Sequence, residues 1–263
     1  MTHPPADTGT HAGRRALVTG AGQGVGRAIA RSLAAAGAEV FVNDLDADRA
    51  GTVVAEIAAA GGAATAAVFD VTDWPAVRAW AGATGRIDVL VNNAGNAGRT
   101  ASLTRADFGL FADSDPTDWE PFLQVNLYGV LHTTRAVLPG MVAGGWGRVV
   151  TVISDAGRVG EPTMAAYAAA KAGAAGLMRS VAKEVGRSGV TVNCVSLGTI
   201  DAREEPVALT PEEARARGMS RYPVPRPGRP DDVAPLVLVL TGPGGAWITG
   251  QTYPVNGGYS STL

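Results

Sequence analysis

The sequence lacks several features of secreted, membrane-spanning and nucleic-acid-binding proteins. Its 263 residues include one cysteine, Cys194, so no internal disulfide can form and a reducing cytoplasm suits the chain. No apolar run reaches the ~18 residues of a membrane-spanning helix. With a formal charge of −2, the chain has no excess of basic residues for nucleic acid or an anionic membrane. We therefore expect a cytoplasmic protein whose partner is a small molecule.

Metal ligands are equally sparse. No ligand cluster accompanies the histidines, so no metal site is predicted. His3 and His11 lie in residues 1–13, which lack an apolar signal core and are expected to be a disordered lead-in. Cys194 lies in an apolar run, where it is expected to be a small buried hydrophobe.

The chain does contain a regular alternation of apolar, β-branched runs with alanine-rich stretches. Alternating strands and helices imply a parallel sheet with right-handed crossovers and helices on both faces. We therefore expect one α/β domain over 14–263, a three-layer, doubly wound parallel sheet of about seven strands. The pattern predicts strands at 15–21, 39–43, 66–71, 87–92, 148–153, 190–197 and 252–255, and helices at 24–36, 47–60, 74–81, 116–143, 164–186 and 231–240.

Two polar segments interrupt this alternation, at 96–115 after the fourth strand and at 199–229 after the sixth. Both follow the carboxyl ends of strands, where open α/β sheets bind ligands. Long loops inside a compact domain are usually functional or disordered. We expect residues 199–223 to form a lid over the substrate.

A glycine-rich turn joins the first predicted strand to the first helix. Its glycines permit positive φ angles and a close approach of the backbone, and the following helix presents free N–H groups to a pyrophosphate. A merely structural turn is the alternative, which the position of the motif after the first strand disfavours. The predicted cofactor contacts are Gly20, Gln23, Gly24, Val25 and Gly26.

Asp44 follows the second predicted strand, 24 residues after Gly20. A carboxylate there can accept hydrogen bonds from both hydroxyls of an adenosine ribose and repels a 2′-phosphate, which favours NAD over NADP. The alternative role, a helix cap, suits Asp46 better, and Arg49 nearby complicates the preference. Other residues expected to line the cofactor crevice are Leu45, Asp70, Val71, Asn93, Ala94 and Gly95.

Tyr167 and Lys171 lie four residues apart on one face of a predicted helix, and Ser154 lies upstream. An ammonium group beside a phenol favours the phenolate, which lowers the pKa of the phenol toward the working range. A hydroxyl that holds a substrate oxygen, and an acid that gives or takes its proton, suit chemistry between a carbonyl and an alcohol.

Together these motifs resemble the short-chain dehydrogenase/reductase family of the classical type. TGAGQGVG, NNAG, the Asn in VNLYG, and Ser154 with Tyr167-x-x-x-Lys171 occur in the family's order, and the resemblance covers 15–259. It implies a Rossmann-type fold and hydride transfer with a nicotinamide cofactor. By this resemblance Tyr167 is the general acid or base, and Lys171 lowers its pKa and binds the nicotinamide ribose. Ser154 holds the substrate oxygen, and Asn126 supports a water that relays protons.

The resemblance also implies that Gly198, Thr199 and Ile200 contact the cofactor. The chain departs from the family at Leu197, where proline is usual, and at Ala202, where threonine is frequent. We expect Thr199 to substitute for the missing threonine.

The substrate side has no motif, and its candidates follow from position alone. They are Asn96, Asp155, Ala156, Glu161 and Met164. Asp155 either faces the substrate or is solvated, and we favour the solvated position. The lid arginines are expected on a solvated helix face, with a clamp for a phosphate or carboxylate as the alternative.

The leading functional hypothesis is an NAD-preferring ketone reductase or secondary-alcohol dehydrogenase. The alternative is an NADP-dependent reductase of 3-oxoacyl thioesters, carried on ACP or CoA, or of polyketides. A regulatory cofactor binder without catalysis conflicts with the intact catalytic set. By resemblance we expect a homotetramer or homodimer that pairs the long fourth and fifth helices, including the alanine-rich stretch 165–175, and the C-terminal region, with Trp247 as a packing or interface residue.

Overall fold

The computed structural model describes residues 9–95, 109–203, 210, 212 and 219–261. Within these ranges one parallel sheet has seven strands: β1 (Arg15–Val18), β2 (Glu39–Asp44), β3 (Ala63–Val68), β4 (Val89–Asn92), β5 (Gly147–Ser154), β6 (Val190–Leu197) and β7 (Thr252–Val255). Their order is β3-β2-β1-β4-β5-β6-β7, with every neighbouring pair parallel. The predicted doubly wound sheet is confirmed. Because the order reverses between β1 and β4, a crevice opens at their carboxyl ends.

Helices cover both faces of this sheet. In the described part of the chain they are α1 (Gly24–Ala35), α2 (Ala47–Ala59), α3 (Trp74–Thr84), α4 (Glu120–Leu123), α5 (Gly129–Ala143), α6 (Ala156–Val159), α7 (Ala165–Val185) and α8 (Pro230–Thr241). Apolar residues of α1, α2 and α8 form a core with one face, and those of α3, α5 and α7 with the other. Strands such as β4 are therefore buried on both sides, as their apolar sequences predict. None of the described helices combines the length and apolarity needed to cross a bilayer.

Strand ends differ from the prediction at two places. β1 ends at Val18 rather than Ala21, because Gly20 has a φ of 60° and turns the chain out of the sheet. β3 spans Ala63–Val68 rather than 66–71. It is an edge strand made mostly of alanine, so the apolar pattern does not mark where it begins. The other strands begin and end within two residues of the prediction.

The predicted helix at 116–143 has an irregular start. It opens with a 3₁₀ turn at Pro116–Asp118, continues through α4 and then widens into a π-helical turn at Gln124–Tyr128 before α5. π-Helical turns are rare and often mark functional sites. This one contains Asn126, one of the residues that the family resemblance assigns to catalysis.

Part of the expected disordered lead-in is packed against the domain. His11 is buried, with Nε2 hydrogen-bonded to Oγ1 of Thr241 at 2.9 Å and its backbone N–H donating to the carbonyl oxygen of Ala36 at 3.0 Å. Burial, and the neighbouring charge of Arg14, lower the pKa of His11. The expectation of disorder is therefore wrong for residues 9–13. The sequence does not reveal this packing, because the hydrogen-bond partner of His11 is Thr241 in α8, which lies 230 residues away.

Candidate active site

The glycine-rich turn between β1 and α1 packs closely against the end of β2. Gly20 and Gly24 have φ angles of 60° and 54°, a region that side chains other than glycine rarely adopt. A Cβ atom on Gly22 would lie 2.6 Å from Oδ2 of Asp44, and one on Gly26 would collide with the turn itself. Gln23, the N-cap residue of α1, makes no capping hydrogen bond through its side chain, which suits a first turn whose N–H groups bind a ligand.

Asn93 holds this turn against the end of β4. Its Nδ2 atom donates to the carbonyl oxygens of Thr19 and Gly20, at 2.9 and 3.0 Å. The hydroxyl oxygen of Thr19 accepts from the backbone N–H groups of Asn93 and Ala94, each at 3.0 Å. The NNAG motif therefore fixes the glycine-rich turn, and Ala94 and Gly95 follow directly at the crevice.

Asp44 ends β2 beside the same turn. Its Oδ2 atom accepts from the backbone N–H of Gly22 at 3.1 Å. Its Oδ1 atom accepts from the backbone N–H of Asp46 at 3.0 Å and from Nη2 of Arg49 at 2.9 Å. Leu45, the next residue, is largely exposed. The carboxylate thus lies where the ribose site was predicted, and Arg49 shares it.

Asp70 and Val71 follow β3 on the adenine side of the predicted crevice. Oδ1 of Asp70 accepts from both the N–H and the hydroxyl of Thr72, each at 2.8 Å, and so builds a turn. Val71 is buried against α5, where a Cβ atom on Gly129 would lie 2.8 Å from Cγ2 of Val71. Both residues therefore have local packing roles as well as the position from which a cofactor contact is predicted.

Ser154 lies near Tyr167, and its side chain lowers the pKa of the Tyr167 phenol. Ser154 ends β5, and its Oγ atom accepts from the backbone N–H of Ala156 at 3.2 Å. Burial raises the pKa of Tyr167, and the nearby side chain of Ser154 offsets this only in part. The expectation of a lowered pKa is therefore wrong for this structure, because burial disfavours the phenolate more strongly than the side chain of Ser154 favours it.

Lys171 lies one turn further along α7 and is buried. Its Nζ atom donates to the carbonyl oxygen of Val152 at 3.0 Å and lies 5.8 Å from the centre of the Tyr167 ring. Burial lowers the pKa of Lys171 to about 8. The predicted pairing of the two side chains on one helix face is confirmed, with the ammonium group tied to β5.

Asn126 approaches Lys171 from the π-helical turn. It is fully buried, and its Nδ2 atom donates to the carbonyl oxygen of Phe122 at 3.0 Å. A Cβ atom added to Gly95 would lie 3.2 Å from Oδ1 of Asn126 and 3.3 Å from Nζ of Lys171. Gly95 is therefore the point at which the two side chains meet the end of β4. The structure brings together the four residues predicted to be catalytic: Asn126, Ser154, Tyr167 and Lys171.

Comparison with known proteins gives the family. Residues 20–260 match a family model described as enoyl-(acyl carrier protein) reductase. The chain is 34% identical over 251 residues to the 7α-hydroxysteroid dehydrogenase of Escherichia coli K12, with 94% of each chain covered. It is 41% identical over 250 residues to a 3-oxoacyl-(acyl-carrier-protein) reductase of Synechocystis, covering 92% of this chain and 95% of that one. The chain belongs to the short-chain dehydrogenase/reductase family.

A solved structure agrees with this assignment. A 3-oxoacyl-(acyl-carrier protein) reductase from Brucella melitensis, crystallised with bound NAD, superposes with a TM-score of 0.89 at 31% identity. The match covers 99% of this chain and 97% of that one. This short-chain dehydrogenase/reductase is therefore a nicotinamide-dependent oxidoreductase that acts on CH–OH or C=O groups, as the motifs predict. The glycine-rich turn fits the dinucleotide, since three of its glycines leave no room for a side chain on the turn.

This dehydrogenase departs from its family at the end of β6, where Leu197 replaces the usual proline. Leu197 pairs with Ser154 on β5 and with Val255 on β7, so β6 continues unbroken up to Gly198. Ala202 lies beside the glycine-rich turn, since a Cβ atom added to Gly24 would lie 3.3 Å from Cβ of Ala202. The loop after β6 therefore passes close to the glycine-rich turn.

Thr199, predicted to contact the cofactor, is held by a residue that sequence analysis missed. The hydroxyl oxygen of Tyr222 accepts from the backbone N–H of Thr199 at 3.2 Å and is hydrogen-bonded to its Oγ1 at 2.9 Å. Ile200 forms an isolated parallel bridge with Gly228. Residues 198–200 are therefore anchored to the far end of the lid segment. A single tyrosine in a polar stretch gives no sequence signal for this contact.

The substrate-side candidates divide into several groups. Asn96 lies outside the described residues, as do Arg215 and Arg217 of the lid. Glu161 accepts a hydrogen bond at 2.7 Å from the hydroxyl of Tyr259, which was also missed. Two further candidates lie at the starts of helices: Ala156 is buried at the first position of α6, and Met164 directly precedes α7.

Asp155 is buried rather than solvated. It is 3% exposed, and both carboxylate oxygens accept hydrogen bonds from protein side chains. The favoured expectation, a solvated carboxylate, is therefore wrong. Apart from Arg158, its side-chain partners lie on β6 and near the C-terminus, far away in sequence, so the neighbouring residues do not predict its burial.

Proposed function

We propose that this chain is an NAD-preferring ketone reductase or secondary-alcohol dehydrogenase that uses Ser154, Tyr167 and Lys171. The observation that carries the proposal is the grouping of these side chains at the carboxyl end of β5, where Nζ of Lys171 donates to the carbonyl oxygen of Val152 and lies 5.8 Å from the centre of the Tyr167 ring. A substrate carbonyl oxygen bound between the Ser154 and Tyr167 hydroxyls receives two O–H donors at once. Such positioning of donors on an oxygen that gains negative charge stabilises the transition state.

Tyr167 is the proton donor in the reducing direction. Its raised pKa keeps the phenol protonated at neutral pH, so it is ready to neutralise an alkoxide. A bound nicotinamide supplies the hydride in this direction and accepts it in the other. Ser154 holds the substrate oxygen, and its bond to the N–H of Ala156 orients its hydroxyl.

Lys171 supplies positive charge beneath the phenol. With a pKa of about 8, its ammonium form predominates at neutral pH, and it favours loss of the Tyr167 proton to the substrate. Lys171 is also within reach of the side chain of Asn126 at Gly95. We propose that Asn126 and Lys171 hold the water through which the phenol is reprotonated.

The preference for NAD rests on Asp44. Its carboxylate is fixed by Gly22 and Asp46 at the end of β2, where it can accept hydrogen bonds from a ribose diol. Arg49 partly neutralises that carboxylate and so weakens its repulsion of a 2′-phosphate. We therefore propose a preference for NAD with measurable use of NADP. The NAD found in the Brucella melitensis relative supports this direction.

An NADP-dependent reductase of 3-oxoacyl thioesters is the second candidate. It is favoured by the similarity to the Synechocystis and Brucella melitensis 3-oxoacyl-(acyl-carrier-protein) reductases. The Escherichia coli hydroxysteroid dehydrogenase relative supports the secondary-alcohol reading instead. Asp44 separates the two through the cofactor, because a thioester reductase that depends on NADP gains nothing from a carboxylate at the ribose.

Assembly and location are also proposals. Ala169, Ala172 and Gly173 are exposed on α7, and such small residues allow a second helix to approach closely. Together with the exposed Trp247, they support a homotetramer or homodimer. A cytoplasmic location, expected from the single cysteine, stays a prediction.

The direct experiment is a substrate screen with each cofactor. Purified protein is mixed with NADH or NADPH and a panel of cyclic ketones, keto-steroids and 3-oxoacyl-CoA thioesters, and the loss of reduced nicotinamide is followed by absorbance. The proposal predicts turnover of a simple ketone with a higher kcat/KM for NADH. Turnover of 3-oxoacyl thioesters alone, with NADPH preferred, would establish the second candidate instead.

A further inference from the structure

A buried carboxylate lies directly beside the serine of the proposed active site. Asp155 follows Ser154 in the chain, and its backbone N–H donates to the carbonyl oxygen of Leu197 at 3.0 Å. Its Oδ1 atom accepts from the hydroxyl of Ser196 at 2.7 Å and from Nη1 of Arg158 at 2.9 Å. Asp155 therefore joins the end of β5 to the end of β6 and to α6.

The other carboxylate oxygen holds the C-terminal segment, defined here as residues 256–261. Oδ2 of Asp155 accepts from Nδ2 of Asn256 at 2.6 Å and from the hydroxyl of Ser260 at 2.9 Å. Arg158 reinforces the same junction, since it donates to Oγ of Ser260 at 3.0 Å and to the carbonyl oxygen of Ser261 at 3.2 Å. Three parts of the chain thus meet on one buried anion.

Two residues of the proposed active site, Ser154 and Lys171, contact α6, which forms part of this junction. Ser154 Oγ accepts from the N–H of Ala156, the first residue of α6. A Cβ atom on Gly157 would lie 2.9 Å from Cβ of Lys171, so α6 packs tightly on the turn of α7 that carries the lysine. A shift of α6 would therefore move both Ser154 and Lys171.

The C-terminal segment also reaches the substrate side. The hydroxyl of Tyr259 donates to Oε2 of Glu161 at 2.7 Å, and its ring lies 5.0 Å from that of Tyr222, measured between centroids. Tyr222 in turn holds Thr199. The segment thus connects the Ser154 end of β5 with the loop expected to contact the nicotinamide.

Burial of the Asp155 carboxylate costs free energy that an apolar side chain would not. A buried carboxylate requires donors for both oxygens, and an apolar residue of similar size is often at least as stable in such a position. A carboxylate whose oxygens are all hydrogen-bonded fixes the direction of each partner, whereas apolar packing is not directional. Here the partners are the elements that position the reacting groups.

We propose that Asp155 is a positioning residue: together with Arg158 it ties the C-terminal segment to α6 and so sets the geometry of Ser154 relative to Tyr167 and Lys171. The inference rests on the proposed function, since it concerns the geometry of that site. It adds to the Ser-Tyr-Lys set a group that touches neither substrate nor cofactor. Reacting groups misplaced by about 1 Å can lose about 100-fold in rate, so such a tether has a measurable effect.

The test compares Asp155→Asn with a matched variant, Asp88→Asn. Asp88 is another buried carboxylate, which accepts from the backbone N–H of Arg15 and pairs with Arg86, at the opposite end of the sheet. For Asp155→Asn we expect kcat to fall about 10- to 100-fold, with KM and the Kd for NADH within about twofold of the wild type. For Asp88→Asn we expect lower thermal stability and unchanged kcat. Equal kcat for both folded variants would overturn the proposal.

Hydrogen exchange tests the tether without turnover. In Asp155→Asn, we expect faster amide exchange at 155–160 and 256–261 than in Asp88→Asn, measured on the cofactor-free protein. Unchanged exchange in both segments would contradict the tether even if no substrate had been found. Failure of the wild type to reduce any carbonyl, with the exchange result as expected, would instead count against the proposed function.

Milder variants cover the case in which Asp155→Asn does not fold. Ser260→Ala and Asn256→Ala each remove one donor and leave the carboxylate with the others. We expect each to lower kcat several-fold, about 3- to 10-fold, and to speed exchange at 155–160. A pair of folded variants with wild-type kcat and exchange would reject the positioning role.

Discussion

Nζ of Lys171 lies 5.8 Å from the centre of the Tyr167 ring at the end of β5, where Lys171 is buried and Tyr167 is half-buried. Burial raises the pKa of the phenol and lowers that of the amine to about 8. In this structure each group is therefore driven toward its neutral form. Burial is the larger influence on the pKa of Tyr167, so the acid stays protonated until substrate arrives.

The first prediction concerns the stability cost of Lys171. Because each pKa unit is worth about 1.4 kcal/mol, a pKa of about 8 in place of 10.5 costs the folded state about 3 kcal/mol at neutral pH. Between these two pKa values the unfolded chain binds more protons than the folded one, so this cost disappears as the pH rises from about 8 to 10.5. Lys171→Met should lose turnover yet gain stability at neutral pH.

Urea denaturation of the wild type and Lys171→Met at about pH 7 and about pH 10 checks this sign. At about pH 7 we expect the variant to be more stable than the wild type, and at about pH 10 we expect this difference in stability to be smaller. A variant that is less stable at neutral pH, or a difference that grows with pH, would show that the ammonium group is better compensated than the burial of Lys171 indicates.

The second prediction concerns the cofactor. Arg49→Gln leaves Asp44 with its full charge, so it should raise the ratio of kcat/KM for NADH over NADPH by about tenfold, mostly through poorer use of NADPH. Asp44→Ala should lower the same ratio by weakening NADH. Arg15→Gln is the matched control, since Arg15 pairs with Glu39 at the opposite end of β1 and β2.

Steady-state kinetics with both cofactors and one ketone measure these ratios. The control should leave the ratio unchanged. An Arg49→Gln variant with improved use of NADPH would contradict the shared-carboxylate account, because it would mean that Arg49 blocks the 2′-phosphate site rather than easing it.

The third prediction concerns assembly. Trp247 is 99% exposed shortly before β7, in the C-terminal region expected to pair with another subunit. Light scattering should report a tetramer or dimer for the wild type at micromolar concentration, and Trp247→Ala should shift it toward smaller species. Val68→Ala, at another exposed apolar residue on the edge strand β3, should leave the mass unchanged. A monomeric wild type would remove this proposal.

The sequence was sufficient for those parts of the fold and site that depend on neighbours in the chain. The glycine-rich turn follows from residues within one loop, and the pairing of Tyr167 with Lys171 follows from a single helical turn. The alternation of apolar strands with helices predicted a parallel sheet, because parallel strands are buried on both faces.

Long-range polar contacts were beyond such reasoning. Asp155 finds Ser196, Asn256 and Ser260 at separations of 41, 101 and 105 residues. A charged residue after a strand normally lies in solvent, so local rules placed it there. His11 was misplaced for the same reason. The pKa of Tyr167 was misjudged because a helix pattern gives the distance to Lys171 but not the burial of the phenol.

The measurement that tests the central claim most directly is the turnover of Tyr167→Phe. With a ketone that the wild type reduces, we expect kcat to fall at least about 100-fold, because the phenylalanine has no proton to give. Binding of NADH, followed by its fluorescence, should keep its Kd within about threefold, because the ring and the cofactor crevice remain. Ser154→Ala, the companion variant, should also lose turnover while binding NADH. A Tyr167→Phe enzyme that reduces the ketone at the wild-type rate would contradict the proposed mechanism.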